Sequence, residues 1–596
     1  MSLAKSTAES LYQQGDKAHD QRDFSLAEKL LRSALALDPG HWKAKYTLAV
    51  LLQDLGRHGD AAPLYAELLA SDPHHAKALN NYAVALQYSG SREQAIGVYR
   101  RAVEAAPANL NAVANLSGLL ADTGREDEAI FVLSQYCDNE SPNFLDLRRA
   151  LILPAIPASS DQVRARRSEV LEDLKRIERR PPRLLNPLRE IGRTPFYLPY
   201  QPESDLEFLE TLAAIYRKAC PELMFVAPHC THNHGPMRER RRVAFASFFF
   251  FDHSVARVML GLIERLPRDR FEVIVVFLGG RSDDDWARSI AQAADSVIET
   301  PYDILESQRL IAGLELDILC FSDFGMDPMS YFLGFSRLAP VQCTTWGHVE
   351  TSGLNSIDWF VSTAGWEGPD TDQDYTERLF RMPDVGSPAY YLKPRIAGSG
   401  RSLISPECNG PNYVCFQVLY KLHPDFDEAI AAILGAQPEA RLFLVESLEP
   451  VWNATMVSRL RRNLGAAVGQ VVWLGQMSRD DYQATLAACD VVLDPIHFSG
   501  GNTSLEAFAA GKPVVTMQGR SMRSRFTAGF YRAMGLADLV TDSPADYVSL
   551  AIRLGRDAEF LNDFVRRIGE RSDVLFEDAR VIDCWTDFLG SVLPED

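Results

Sequence analysis

Ten residues, His497 to Glu506 (His-Phe-Ser-Gly-Gly-Asn-Thr-Ser-Leu-Glu), bring together groups able to hold a phosphate and a sugar hydroxyl. The apolar run Val491-Val492-Leu493-Asp494-Pro495 before them reads as a buried strand, and Ala507 to Pro513 after them reads as a short helix closed by glycine and proline. A strand, a small-residue loop and a helix start place free backbone N–H groups and the positive end of a dipole at one point. Such a point binds phosphate. Gly500 and Gly501 let the backbone come close, Asn502, Thr503 and Ser504 add side-chain donors, and Glu506, one turn in, is placed to accept from ribose hydroxyls. The loop lacks the Gly-Lys-Ser ending of a P-loop and the Rossmann glycine spacing. It therefore predicts a nucleotide diphosphate held in another way, with a tight turn as the plainer reading. His229, Cys230, His232 and His234 crowd one loop between Pro228 and Gly235 without the convergent spacing of a zinc site, so no metal and no cofactor are expected.

Chemistry of this kind needs strands to carry it. From Arg241 onward, apolar strands alternate with helical stretches, which predicts parallel sheet. The first set comprises 243–247, 272–278, 318–321, 342–345 and 359–362. A second comprises 413–418, 441–445, 470–474, 491–494 and 513–517. Two doubly wound parallel sheets imply a cleft, with ligands at the carboxyl ends of the strands. There lie His253, Asp323 with Gly325, Trp346-Gly347-His348 leading into Thr351-Ser352-Gly353, Lys421, and the 500–506 loop. Asp323 is a general-base candidate or, more plainly, a helix cap.

Ahead of these sheets stands a repeat. Prolines 39, 73 and 107, alanines 27, 61, 95 and 129, and glycines 56, 90 and 124 all recur every 34 residues. That period is the tetratricopeptide repeat, a helix pair that buries its apolar face only by stacking on its neighbours. About four units run from Ala8 to Pro142. Asn81 and Asn115 occupy equivalent places on first helices, where they either grip an extended peptide backbone or solubilise the inner face. The expected divisions are repeats over 1–145, a helical adaptor over 146–238, a first catalytic lobe over 239–395 and a second over 396–596. The 596 residues are 46% hydrophobic and 24% charged, ordinary for a soluble globular chain. A net charge of −19 without a basic run argues against a nucleic-acid partner. No signal peptide or membrane span is read, and nine cysteines without a C-x-x-C pair predict free thiols in a cytoplasmic protein.

Taken together, Leu338-Ala339-Pro340-Val341-Gln342 with Trp346-Gly347 and Thr351-Ser352-Gly353, then Phe416 to Lys421, then Gly500 to Glu506 with Gly511 to Met517, resemble the O-linked N-acetylglucosamine transferase family. That family includes Spindly-type fucosyltransferase relatives and many bacterial homologues, and the resemblance spans nearly the whole chain. It implies tetratricopeptide repeats followed by a two-lobed GT-B fold. It also implies inverting, metal-independent transfer of a sugar, UDP-GlcNAc first, to Ser/Thr of a protein held by the repeats. By the resemblance, Lys421 contacts the distal phosphate, Glu506 the ribose, and Tyr482 stacks on the base near the Met477 backbone. Gly347 belongs to the donor site, His253 orients the acceptor or assists proton removal, and His348 stands on the acceptor side. Three positions depart from the family near the sugar: Val418 replaces a polar residue, Phe248 to Phe251 a more polar stretch, and His348 another aromatic. GDP-fucose or a CMP-linked nonulosonic sugar on a surface protein such as flagellin therefore stays open. So do transfer to asparagine or a small glycan, a homo-oligomer, and a catalytically inactive peptide-binding scaffold.

Overall fold

A computed structural model describes residues 2–138, 140–231, 238–394, 400–405 and 410–592. The chain forms two compact units, Met1–Glu140 and Ser141–Asp596.

The first unit is helical. Helices Ser2–Asp20, Phe24–Leu37, Trp42–Asp54, His58–Ser71, Ala76–Tyr88, Arg92–Ala105, Leu110–Asp122 and Glu126–Ser134 pair in sequence. Each recurring position has its physical reason. Ala27, Ala61, Ala95 and Ala129 are fully buried where helices cross, leaving no room for a larger side chain. Gly56, Gly90 and Gly124 end the first helix of a pair at φ of +73°, +87° and +76°, a left-handed turn that glycine adopts without a Cβ penalty. The prolines fall two residues beyond the ends of the second helices, where they cannot continue the helix. A polar contact keeps the same period: Tyr65 donates to Gln53 (2.6 Å) and Tyr99 to Gln87 (3.0 Å).

The second unit holds two wholly parallel sheets. The first comprises β1 (Arg241–Ser247), β2 (Phe271–Phe277), β3 (Ser296–Glu299), β4 (Ile318–Phe321), β5 (Val341–Thr345), β6 (Trp359–Thr363) and β7 (Arg378–Met382), in spatial order 3-2-1-4-5-6-7. Register pairs Val243 with Val273 on one side and Ile318 on the other. The second comprises β8 (Asn412–Cys415), β9 (Arg441–Val445), β10 (Val471–Leu474), β11 (Val491–Leu493), β12 (Val514–Met517) and β13 (Val540–Thr541), in order 10-9-8-11-12-13. Ten strands lie where apolar runs predict them. β3, β7 and β13 do not announce themselves, because β3 and β7 are half-exposed edge or near-edge strands carrying charge and β13 is two residues long.

Two assignments differ from the sequence reading. The segment before β1 is no separate adaptor: Val170, Leu174, Leu212 and Ile215 from helices Ser160–Arg179 and Leu206–Ala219 share one core with Phe332 and Leu338 of the first lobe. The carboxyl-terminal helix, Ala579–Ser591, also returns to that lobe. Its Trp585 indole donates to the Pro388 carbonyl (2.7 Å), and Arg241 donates to the carbonyls of Leu589 and Gly590 (3.0 and 2.8 Å). All cysteines among the described residues are free, and no described helix is long and apolar enough to cross a membrane.

Candidate active site between the two lobes

Each sheet reverses its winding once, between β1 and β4 in the first lobe and between β8 and β11 in the second. Chain leaving parallel strands on either side of such a reversal splays apart and opens a crevice. The residues following β1 and β5 meet those following β8 and β11 across one cleft. One cavity there, of about 450 Å³, is lined by His253, Trp346, His348, Lys421, Asn502 and Thr503 among others. A second, of about 710 Å³, is lined by Trp452, Met477, Arg479, Tyr482 and Glu506. Phe416, Gln417, Val418, Tyr420 and Thr503 line both, so the two adjoin.

Asn502 to Glu506 form the first turn of helix Asn502–Ala509, which starts earlier than the sequence suggests. The Ser504 and Leu505 amides bond back to the Gly501 carbonyl, which leaves those of Asn502 and Thr503 as the open donors of that turn. Gly500 and Ser504 do not join them. The Gly500 N–H donates to Asp494 (2.6 Å), and the buried Ser504 hydroxyl pairs with Thr527 (2.7 Å). Both therefore build the loop and do not face the cavity. Gly500 must be glycine, since a Cβ would lie 2.5 Å from the Ser504 hydroxyl and 2.6 Å from that of Thr503. Gly347 lines the cavity and is also fixed by packing, because any Cβ would collide with the Ser322 carbonyl oxygen.

Lys421 ends a short 3-10 turn, Leu419–Lys421, just past β8. Its ammonium lies 4.6 Å over the Phe498 ring and donates to Gln417 Oε1 (3.2 Å), while Gln417 Nε2 donates to the Thr503 hydroxyl (2.5 Å). Among the described residues no carboxylate lies within ion-pair distance of Lys421. Burial pulls its pKa down to about 8, opposed by Asp494 and Cys415. A cation left without a counter-ion beside open helix-start amides is a receptor for an anion. Gln417 and Asp494 were not singled out from sequence, although Gln417 stands four residues before the lysine and Asp494 is the one charge ending an apolar strand.

In the wider cavity Met477 contributes wall, and the Tyr482 ring lies 5.5 Å from that of Phe416. The Tyr482 hydroxyl interacts with Glu506, and burial pushes both groups up. Arg479 Nη2 approaches Glu506 Oε1 to 3.6 Å. Glu506 thus faces the cavity as a carboxylate steered by two neighbours. Arg479 and Trp452, unnoticed in the sequence because neither sits in a motif, complete this pocket.

Two histidines face the first cavity. His253 caps helix Ser254–Arg265, accepting the Val255 amide on Nδ1 (3.2 Å). Burial, aided by Arg257 and opposed by Asp252, pulls its pKa down to about 4. A ring that accepts on Nδ1 carries its proton on Nε2, so His253 is built to donate and is poorly suited to remove a proton. His348 is buried and bonds through Nε2 to Glu350 Oε1 (2.9 Å). Asp323 is not brought to the cleft. It is wholly buried under the loop after β1, accepts the Phe248 amide (3.3 Å), and is held up at about 8 by burial and by Asp327, so at neutral pH it is a protonated anchor and not a general base. Asn81 and Asn115 lie in the first unit. Asn81 donates to Tyr46 (3.1 Å), and Asn115 to Asn80 (3.0 Å), which itself donates to Asn81 (3.3 Å).

His232 and His234 lie outside the described residues. His229 Nε2 meets the Leu316 carbonyl (3.1 Å), and burial pushes the Cys230 thiol up to about 11. Among the described residues, His423, Asp425 and His497 stand close enough to share a metal. There His423 Nδ1 accepts the Asp425 backbone amide (3.3 Å), and the Asp425 carboxylate bonds His497 (2.8 Å) and pins that left-handed residue (φ +78°) at the entry to the glycine loop.

Comparison with known proteins agrees with this architecture. Models of the tetratricopeptide repeat match residues 12–76, 46–87 and 81–143, and the model described as glycosyl transferase family 41 matches 408–580. Among curated relatives are proteins named probable UDP-N-acetylglucosamine–peptide N-acetylglucosaminyltransferase SPINDLY. The one from Hordeum vulgare is 27% identical over 247 residues, 39% of this chain and 25% of that protein. The one from Petunia hybrida is 31% identical over 236 residues, 38% and 24%. A UDP-N-acetylglucosamine–peptide N-acetylglucosaminyltransferase of Caenorhabditis elegans is 26% identical over 179 residues, 30% and 15%. The chain thus spans about a quarter or less of the length of these relatives. A solved mutant of Thermobaculum terrenum O-GlcNAc transferase shares the fold at a TM-score of 0.54 and 24% identity, covering 99% of each chain. The carboxyl-terminal lobe thus matches glycosyl transferase family 41 behind tetratricopeptide repeats, and the fold is shared along the whole chain with that solved structure.

Proposed function

We propose that the protein is an inverting, metal-independent O-glycosyltransferase that moves a sugar from a nucleotide donor, UDP-GlcNAc first among them, to Ser/Thr of a protein. The observation that carries this reading is the half-buried, unneutralised Lys421, lining with Asn502 and Thr503, whose amides are open, a cavity of about 450 Å³ that adjoins one of about 710 Å³. Charge gathers on the departing diphosphate in such a transfer, and a fixed cation with helix-start donors can meet it without a metal. Glu506 would take the ribose hydroxyls, with the base between Tyr482, Trp452 and the Met477 wall. The names of the relatives support a peptide acceptor and N-acetylglucosamine. The aromatic walls, Phe249, Trp346, Phe416 and Phe498 with Val418 exposed at the rim, support a second reading in which the sugar carries a C6 methyl in place of a hydroxymethyl group, as fucose does.

The test is a panel of UDP-, GDP- and CMP-sugars offered to the purified chain with Ser/Thr peptides, following nucleotide release. Turnover of UDP-GlcNAc alone is the expected outcome; turnover of GDP-fucose alone selects the second reading. A chain that binds and turns over none of them is a scaffold. The repeats offer a separate test. Replacing Asn81 and Asn115 together with alanine removes amides from first-helix positions equivalent in two successive pairs. Transfer to a protein acceptor should fall about tenfold, roughly the 1.4 kcal/mol of one or two lost hydrogen bonds, while donor hydrolysis in water stays unchanged. Equal loss of both, or of neither, would detach the repeats from acceptor binding.

A further inference from the structure

We infer that His348 and Glu350 act as a proton-accepting pair, His348 taking the acceptor's proton and Glu350 positioning and supporting the ring; this rests on the glycosyl-transfer reading above. The two cleft histidines are in opposite hydrogen-bonding states. His253 has spent its Nδ1 lone pair on a backbone amide and can only donate. His348 has its Nε2 turned to a carboxylate oxygen, an arrangement that places the proton on Nε2 and leaves the lone pair on Nδ1, in a ring that lines the cavity.

The pair is held firmly. The His348 ring lies parallel to that of Phe196, 6.1 Å away and 10° off, and rests against Gly325, where a Cβ would come within 2.9 Å of its Cδ2. Gly325 has φ +90°, so glycine alone suits that turn on both counts. The side chains of His348 and Glu350 are only 4% and 5% exposed. Among the described residues Glu350 Oε2 is buried with no hydrogen-bond partner, so this oxygen remains open to a further donor. Burial pushes the Glu350 carboxyl up and His348 draws it back, with Asp205 and Arg523 the further charges nearby; Arg523 is itself bound to Asp205 (2.5 Å). Tyr200 and Tyr331 are the other titratable groups that feel it.

The step balances as follows. The acceptor oxygen bonds to the anomeric carbon while the bond from that carbon to the phosphate oxygen breaks, its electron pair leaving with the nucleotide beside Lys421. The hydroxyl proton passes to His348 Nδ1. The imidazolium so formed faces the Glu350 carboxylate, and a neutral ion pair is far cheaper in a buried site than a lone charge. The proton returns to solvent as product leaves.

The experiment uses the full chain, UDP-GlcNAc, a Ser/Thr peptide, and UDP as the binding probe. His348→Phe keeps the stacked ring and removes both nitrogens. Its kcat should fall about a hundredfold, with the KM for UDP-GlcNAc and the Kd for UDP within threefold of wild type. Should that variant not fold, His348→Gln keeps a bond to Glu350 without a basic nitrogen, and the same loss is expected. Glu350→Gln keeps shape and an acceptor oxygen but not the charge; kcat should fall about tenfold at unchanged KM. A folded, UDP-binding His348 variant with kcat within threefold of wild type overturns the inference alone. A wild-type chain that turns over no nucleotide sugar overturns the transferase reading, and this inference with it.

Discussion

Lys421→Ala is expected to lower kcat about a thousandfold while the chain stays folded. The ammonium lines the same cavity as Asn502 and Thr503, whose amides are open, and among the described residues no carboxylate lies within ion-pair distance of it. An oriented donor aimed where charge develops is worth roughly 10²–10³ in rate even when neutral, and a cation in a cleft that excludes water stands at the top of that range. Ground-state binding of UDP should weaken less, because the helix start and Glu506 remain. The pH dependence follows from the same burial. A lysine pulled down to about 8 is cationic below that pH and neutral above it, so kcat/KM for the free enzyme should decline as pH rises through about 8. The bound diphosphate favours the charged form, so kcat should hold to higher pH. For stability the sign is opposite to that of a gained ion pair: the unfolded chain keeps this proton to about 10.5 and the folded chain only to about 8, so the group's contribution to stability rises with pH across that window. Alanine therefore removes a strained charge and should not lower the melting temperature. A variant with kcat within tenfold of wild type, or a flat kcat/KM profile from pH 7 to 9.5, would take Lys421 out of the transition state.

The sequence carried the periodic part of this structure and little of its pairing. A 34-residue recurrence of Ala, Gly and Pro is legible because each residue type answers one local demand: a tight crossing, a left-handed turn, a helix stop. Buried parallel strands are legible as short apolar runs, which is why β1 and β9 are easily found and the charged Arg378–Met382 is not. Side-chain partners leave no such trace. Nothing in the order of residues tells that Ser504 turns inward to Thr527 while its neighbour Thr503 turns to Gln417, 86 positions away. Asp323 shows the same limit: a strand-end aspartate looks the same in sequence whether it faces solvent, caps a helix or lies protonated beneath a loop. Helical segments before β1 and after β13 looked like parts of other modules because a shared core is a property of contact and not of spacing.

Asp494→Ala should cost roughly 3–5 kcal/mol of stability and weaken UDP binding more than tenfold, although Asp494 touches neither cavity. Its carboxylate is 2% exposed and gathers the glycine loop from three sides. Oδ1 accepts the Gly500 amide (2.6 Å), and Oδ2 accepts the hydroxyls of Ser499 (2.7 Å) and Thr516 (2.8 Å). Tyr547 donates to its backbone carbonyl (2.9 Å), tying the same residue to the helix behind the sheet. Alanine leaves three buried donors facing one another across a small void, at about 1–3 kcal/mol for each one that finds no other acceptor. The released Gly500 amide would let the loop turn, and with it the start of the helix whose amides are aimed at the cleft. Asparagine separates the two effects. It keeps one oxygen for Gly500 and offers Ser499 and Thr516 an N–H that rotating hydroxyls can accept, so it should recover more than half of the lost stability and most of the UDP affinity. Thermal unfolding and UDP calorimetry on both variants decide the matter. An alanine variant that melts within 2 °C of wild type and binds UDP normally would show that the loop is held by its own backbone, and that the open amides of Asn502 and Thr503 owe nothing to this carboxylate.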